Sequence, residues 1–148
     1  MITPELAGAF TGGISCPMLK SIGVEWALAG HSERRTINRE TDEYINSQCL
    51  NLIGQDMSVI LCIGETLEEF EKSLVGAVCE VQLKKGLSGI KAEEMDRVVI
   101  ACKFFLPGIN NSVLTLSFVH AFRFVVCGVG YHVFSSNLMS YLLPSTHC

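Results

Sequence analysis

The 148-residue chain is poor in charge: Asp, Glu, Lys and Arg make up 18% of it, and the net charge is −4. Its largest basic clusters are the pairs Arg34-Arg35 and Lys84-Lys85, and neither is interleaved with aromatics. The footprint needed for nonspecific binding to nucleic acid is therefore missing. Metal-ligand spacing is missing too. The seven cysteines (Cys16, Cys49, Cys62, Cys79, Cys102, Cys127 and Cys148) never stand two or four residues apart. No zinc-ribbon or finger pattern exists, and no metal or cofactor is expected. An odd cysteine count with wide gaps reads as reduced, mostly buried thiols of a reducing compartment. The start Met1-Ile2-Thr3-Pro4-Glu5 has neither a basic nor an apolar signal region, so a cytoplasmic location is the default expectation.

Charge is scarcest at the C-terminal end. Residues 1–103 hold ten of the eleven Lys and Arg and all fifteen Asp and Glu, whereas Arg123 is the one charged residue of 104–148. The same tail holds three of the four histidines and six of the eight phenylalanines. This composition divides the chain into a segment 1–103 and an apolar tail 104–148. The chain is 49% hydrophobic, enough for one domain to bury a core and unlike a disordered composition. No internal repeat is apparent.

The first segment has a regular rhythm. Residues 15–22 predict a short helix with Ser15 as N-cap and Gly23 as its stop. The apolar run 24–29, carrying Trp26 and bounded by glycines, predicts a strand. Residues 41–53 predict a helix capped by Thr41, with Tyr44, Ile45, Cys49, Leu52 and Ile53 on one side. A second strand is expected at 59–63. Thr66 then caps a long helix from Leu67 to about Lys85, with Glu68, Glu69 and Glu71 in its early turns, where the helix dipole favours anions. A turn of helix is expected at Glu93-Glu94-Met95, and a third strand at 98–101. Apolar strands alternating with helices imply an α/β fold with a parallel sheet covered on both faces. Periodicity alone does not separate a barrel from a doubly wound sheet.

Such folds place their chemistry beyond the C-terminal ends of the strands. Three such ends are visible: Gly30-His31-Ser32-Glu33-Arg34-Arg35, Gly64-Glu65-Thr66 and Cys102-Lys103. The first packs a His, a Glu and two Arg where a strand stops and a helix starts. A helix N-terminus disfavours added positive charge, so a neutral imidazole at His31 is favoured, able to donate a hydrogen bond to a carbonyl or enediolate oxygen. The alternative is a turn-capping His31 with Glu33, Arg34 and Arg35 in surface ion pairs.

Three strings carry a family resemblance: Gly8-Ala9-Phe10-Thr11-Gly12, then Gly30-His31-Ser32-Glu33-Arg34-Arg35, then Cys62-Ile63-Gly64-Glu65-Thr66-Leu67. In order and spacing they resemble triosephosphate isomerase over about two-thirds of the chain. The resemblance implies a partial (β/α)8 TIM-barrel fragment, with parallel strands near 24–29, 59–63 and 98–101. It implies triose phosphate as substrate and interconversion of dihydroxyacetone phosphate with glyceraldehyde 3-phosphate. His31 would be the electrophile that polarises the triose carbonyl, a role this family illustrates with its glutamate and neutral-histidine pair. Glu33 would match the acid that contacts the family's catalytic lysine, and Ser32 would lie near the open position of the catalytic glutamate. Thr11, Phe10 and Arg34 would fall at the dimer interface. Glu65 would help frame the barrel mouth, or would be a solvated strand-end carboxylate.

The departures carry equal weight. After 98–101 the family pattern continues Tyr-Glu-Pro-Val-Trp and then a glycine-rich lid, whereas this chain reads Cys102-Lys103-Phe104-Phe105-Leu106. Lys103 stands where the general base belongs, and an ordinary lysine is protonated. The family's catalytic lysine would fall upstream of anything that matches Met1. No phosphate-binding glycine pair follows Ala101, and Gly128-Val129-Gly130 is a poor match for one. Gly13 replaces the acid that usually pairs across the dimer. The expectation is a chain with little or no activity alone. A non-catalytic module that pairs with itself or with a full-length isomerase is the alternative. The tail admits three readings: substitute strands covering a sheet edge, a membrane segment over 112–134, or sequence never selected to fold with the barrel. Arg123, His120 and His132 count against the second. The abrupt loss of pattern at 102 favours the third.

Overall fold

The structure, a computed structural model, describes residues 8–106, 109–117 and 123–125. Helix α1 (Cys16–Ser21) opens on a proline in its first turn, where a missing N–H costs nothing. Ser15 occupies the N-cap with extended backbone, but its side chain makes no capping bond. Strand β1 (Trp26–Ala29) follows, then the short helix α2 (Ser32–Thr36). In α3 (Asp42–Gly54) the Thr41 hydroxyl accepts from the Tyr44 N–H at 3.2 Å, as the cap pattern predicts. Ile45, Cys49, Leu52 and Ile53 are buried along one side of α3, joined by Gln48. Strand β2 (Ser58–Gly64) comes next.

The long helix expected over 67–85 is two helices, α4 (Leu67–Glu71) and α5 (Val75–Gly86). Ser73 takes a left-handed conformation (φ 57°) between them. Its N–H bonds to the Phe70 carbonyl at 2.9 Å, and the Leu74 N–H bonds to the Glu69 carbonyl at 2.9 Å. This is the paired closure of a Schellman C-cap. The chain therefore turns in mid-pattern without a glycine. A 3-10 helix (Ala92–Arg97) leads into β3 (Val98–Leu106), and β4 (Ile109–Ser117) and β5 (Arg123–Val125) follow.

The five strands form one sheet in the order β1-β2-β3-β4-β5. The first three are parallel, with Ala27 beside Val59 and Leu61 beside Ile100. The expected α/β fragment of a barrel, with its three parallel strands, is what forms. Helices α3 and α5 pack on β2 and on each other, and α3 also reaches β1. Beneath them lie Ala27, Ala29, Val59, Leu61, Ile63, Val98, Ile100 and Cys102, all buried. Each fully buried aliphatic here, such as Ile45, Leu52 or Leu61, contributes about 1.5–3 kcal/mol relative to exposure. Gly86 lets α5 settle onto β2, since a Cβ there would lie 2.9 Å from the Leu61 side chain. The Asn46 amide on α3 donates to the Gly86 and Ser88 carbonyls, at 3.0 and 2.8 Å, at the α5 terminus.

The expectation that both sheet faces are covered fails on the other side. Trp26 is 44% exposed and Leu28 57% exposed, while Ile60, Val99 and Ala101 are half-buried. In a closed barrel this face is filled by side chains from strands across the interior.

The compositional boundary at 103/104 falls inside β3, which runs through it to Leu106. β4 pairs antiparallel with β3 from Val99↔Ser117 to Leu106↔Ile109, with a register shift between Phe104 and Leu106. β5 pairs antiparallel with β4. Over these segments the tail supplies strands that cover a sheet edge. Among the described residues no helix is long and apolar enough to cross a membrane. Much of the span 112–134, and Gly128-Val129-Gly130 with it, lies outside the described residues.

Candidate active site

Parallel strands end together, so the residues that follow them converge. The loops after β1 and β2 and the end of β3 enclose a cleft of about 340 Å³. Its lining includes Gly30, His31 and Ser32 from the first loop, Gly64, Glu65 and Thr66 from the second, and Ala101 from β3. Arg35, Cys62, Glu69 and Gln82 also line it.

Gly30 makes the first turn possible. Its φ is 75°, and a Cβ there would lie 2.9 Å from both the Cys62 carbonyl oxygen and the Arg35 guanidinium. His31 then caps α2, with its Nδ1 accepting from the Glu33 backbone N–H at 3.4 Å. An Nδ1 that accepts carries no proton, so in that arrangement the ring proton sits on Nε2. The Glu33 carboxylate stands 3.8 Å from the same Nδ1 and would pair with it only in the protonated ring. Turn-capping and donation are thus compatible roles for His31, performed by different nitrogens.

Ser32 begins α2 and lines the cleft beside His31, while its carbonyl accepts from the Thr36 hydroxyl at 2.9 Å. Glu33, with its side chain 76% exposed, is adjacent to His31 but outside the cleft lining. Arg34 turns away: its Nε and one terminal nitrogen donate to Glu40 Oε1 at 3.1 and 2.5 Å. Phe10 and Thr11 lie in an exposed turn apart from the cleft. Glu65 is buried at 5% exposure and belongs to the cleft wall. Lys103 stands opposite Gly64 in the register of β2 and β3, and because β3 runs on to Leu106 it lies within the strand and not at the strand end expected after 98–101.

Arg35 is the residue whose role the sequence hides. Its Nε donates to the Gly30 carbonyl at 2.8 Å, one terminal nitrogen donates to the Cys62 carbonyl at 3.3 Å, and the other pairs with Asp42 at 2.5 Å. One planar fork thus ties the end of β1 to the end of β2 and to the start of α3. It reads in sequence as half of a surface Arg pair, yet its side chain is only 16% exposed. Gln82 was equally invisible, lying in mid-helix with no motif around it. Its amide accepts from the Gly64 N–H at 2.8 Å and donates to the Gly64 carbonyl at 3.1 Å, imitating a strand partner. Thr66 and Glu69 complete a capping box at the head of α4: the Thr66 N–H donates to Glu69 Oε2 at 2.7 Å, and the Glu69 N–H donates to the Thr66 hydroxyl at 3.3 Å.

Cys62 is a poor nucleophile despite its place in the cleft. Burial pushes its thiol up, and the neighbouring Arg35 charge only partly opposes this. Among the described residues no cluster of three His, Cys, Asp or Glu could hold a metal ion.

A parallel sheet with helices on its outer face, and polar groups including His31 gathered beyond its strands, is the architecture of part of a (β/α)-barrel. The sequence model of triosephosphate isomerase matches residues 1–103. The triosephosphate isomerases of Chloroherpeton thalassium and Carboxydothermus hydrogenoformans are each 46% identical over 97 residues. That of Alkaliphilus oremlandii is 48% identical over 97 residues. In each case the match covers 66% of this chain and 38–39% of the relative. The chain belongs to the triosephosphate isomerase family, and its match spans under two-fifths of the length of these relatives.

Proposed function

We propose that this chain retains the electrophilic half of a triose phosphate isomerase site and lacks the proton-abstracting half. The substrate class would be triose phosphate, the reaction the interconversion of dihydroxyacetone phosphate and glyceraldehyde 3-phosphate, and the setting cytoplasmic glycolysis and gluconeogenesis. His31 is the candidate electrophile, with Ser32 and Glu33 in supporting positions. The observation that supports the reading is Lys103, in register with Gly64 within β3, at the sequence position where the family pattern has a carboxylate base. A positioned base is worth roughly 10²–10⁴ in rate, and the lost orientation of the phosphate removes more. The purified chain should therefore isomerise triose phosphate at close to the buffer rate in a coupled assay. Turnover well above that rate, abolished by His31→Ala, would show that a base exists elsewhere.

A second reading has its own support. Trp26 and Leu28 expose an apolar face on a strand at the sheet edge, so the chain is suited to pair with a second copy or with a full-length isomerase. Thr11, Phe10 and Arg34 would contribute if the family's usual interface is used.

A further inference from the structure

Beneath the cleft, α5 and β3 bring two thiols into contact that the isomerase chemistry does not use. The Cys79 and Cys102 sulfurs stand 3.9 Å apart. Each residue is 1% exposed. They come from different elements, 23 residues apart in sequence. Cys102 occupies the position where the family pattern has tyrosine, so the pair is a property of this chain and not an inheritance of its fold.

We propose that Cys79 and Cys102 are a redox site that a small hydroperoxide converts to a disulfide, stapling α5 to β3. The sulfurs have to close from 3.9 Å to about 2.05 Å. On the α5 side, Gln82 is one helical turn beyond Cys79 and lines the cleft.

A hydrogen bond with Cys102 holds the Cys79 thiol below its ordinary range, while the same contact and burial push Cys102 up. The 3.9 Å contact itself is symmetric, since either sulfur can be the donor, and the proposed order has Cys79 attack first. It attacks one peroxide oxygen and the O–O bond breaks. The sulfur is oxidised to a sulfenic acid, and the released hydroxide takes a proton and leaves as water. The Cys102 sulfur then attacks the sulfenic sulfur. The S–S bond forms as the S–O bond breaks, and the second hydroxide leaves as water with the Cys102 proton. Two thiols and one hydrogen peroxide give one disulfide and two waters.

The test uses the full chain treated with excess hydrogen peroxide. Remaining thiols are then blocked under denaturing conditions, and the protein is digested without reduction for mass spectrometry. The expected product is a linked peptide pair joining Cys79 to Cys102, two hydrogens lighter than the sum of its parts and released by dithiothreitol. Cys102→Ser should abolish it and leave Cys79 as a sulfenic acid that dimedone captures. The wild-type melting temperature should rise on oxidation and return on reduction, since the staple closes a long loop. Recovery of both thiols reduced, with other cysteines already oxidised, overturns the proposal. So does linkage spread evenly over all the cysteines. Neither result depends on the variant folding or on any isomerase activity.

Discussion

His31 and Arg35 belong to one six-residue string and were not equally legible in it. A histidine after an apolar run and before a helix has few roles, and the strand-end rule for parallel sheets points to the cleft that His31 lines. Arg35 looks identical to Arg34 in sequence. The difference arises because a helix turns about 100° per residue, sending Arg34 to Glu40 on the surface and Arg35 inward to two carbonyls and Asp42. Removing the guanidinium strands a part-buried carboxylate and two carbonyls at once. Arg35→Ala should therefore lower stability by about 3 kcal/mol in urea denaturation. Arg35→Lys should recover little, because an ammonium cannot reproduce the planar fork. A loss below about 1 kcal/mol for Arg35→Ala would mean that β1 and β2 hold their ends without it.

Elements were easier to foresee where a side chain makes the boundary and harder where the backbone does. Thr41 and Thr66 announce helix starts, and both make the expected capping bonds. The break at Ser73 carries no such signal. The apolar pattern runs on, and only the left-handed turn with its two closing bonds separates α4 from α5. Ser15 is the converse case, a cap residue in position with no capping bond. Because α4 is short and none of its residues is fully buried, its stability leans on the Thr66–Glu69 box. Thr66→Ala should cost about 1 kcal/mol, readable as faster amide exchange over α4 and a lowered denaturation midpoint. Unchanged exchange there would show that contacts with α5 hold the helix instead.

For the whole molecule, composition revealed the change of character near residue 103 but not its structural outcome. The apolar strands implied a sheet with two covered faces, and the buried face is as expected under α3 and α5. Whether a second face is filled depends on how many strands close around it, which no local pattern of β1 or β2 encodes. Leu28, 57% exposed on a strand at the sheet's end, is the position where this matters most. If that face pairs with another copy, light scattering should show mass rising with concentration. Leu28→Lys should weaken the association about tenfold or more, since it removes roughly 1.5–3 kcal/mol of apolar burial per copy. A wild-type chain that stays monomeric throughout would remove the pairing reading. The placement of β4 has a different consequence. A barrel grows like a polymer, each strand presenting a reactive edge to a parallel successor. Here the growing end at β3 is terminated by an antiparallel return, from Val99↔Ser117 outward. A detached later portion of a complete relative would find that seat taken, whereas an earlier portion would still meet an open partner in β1. The hairpin is a chain stopper written into the topology, and it makes assembly of this sheet one-directional.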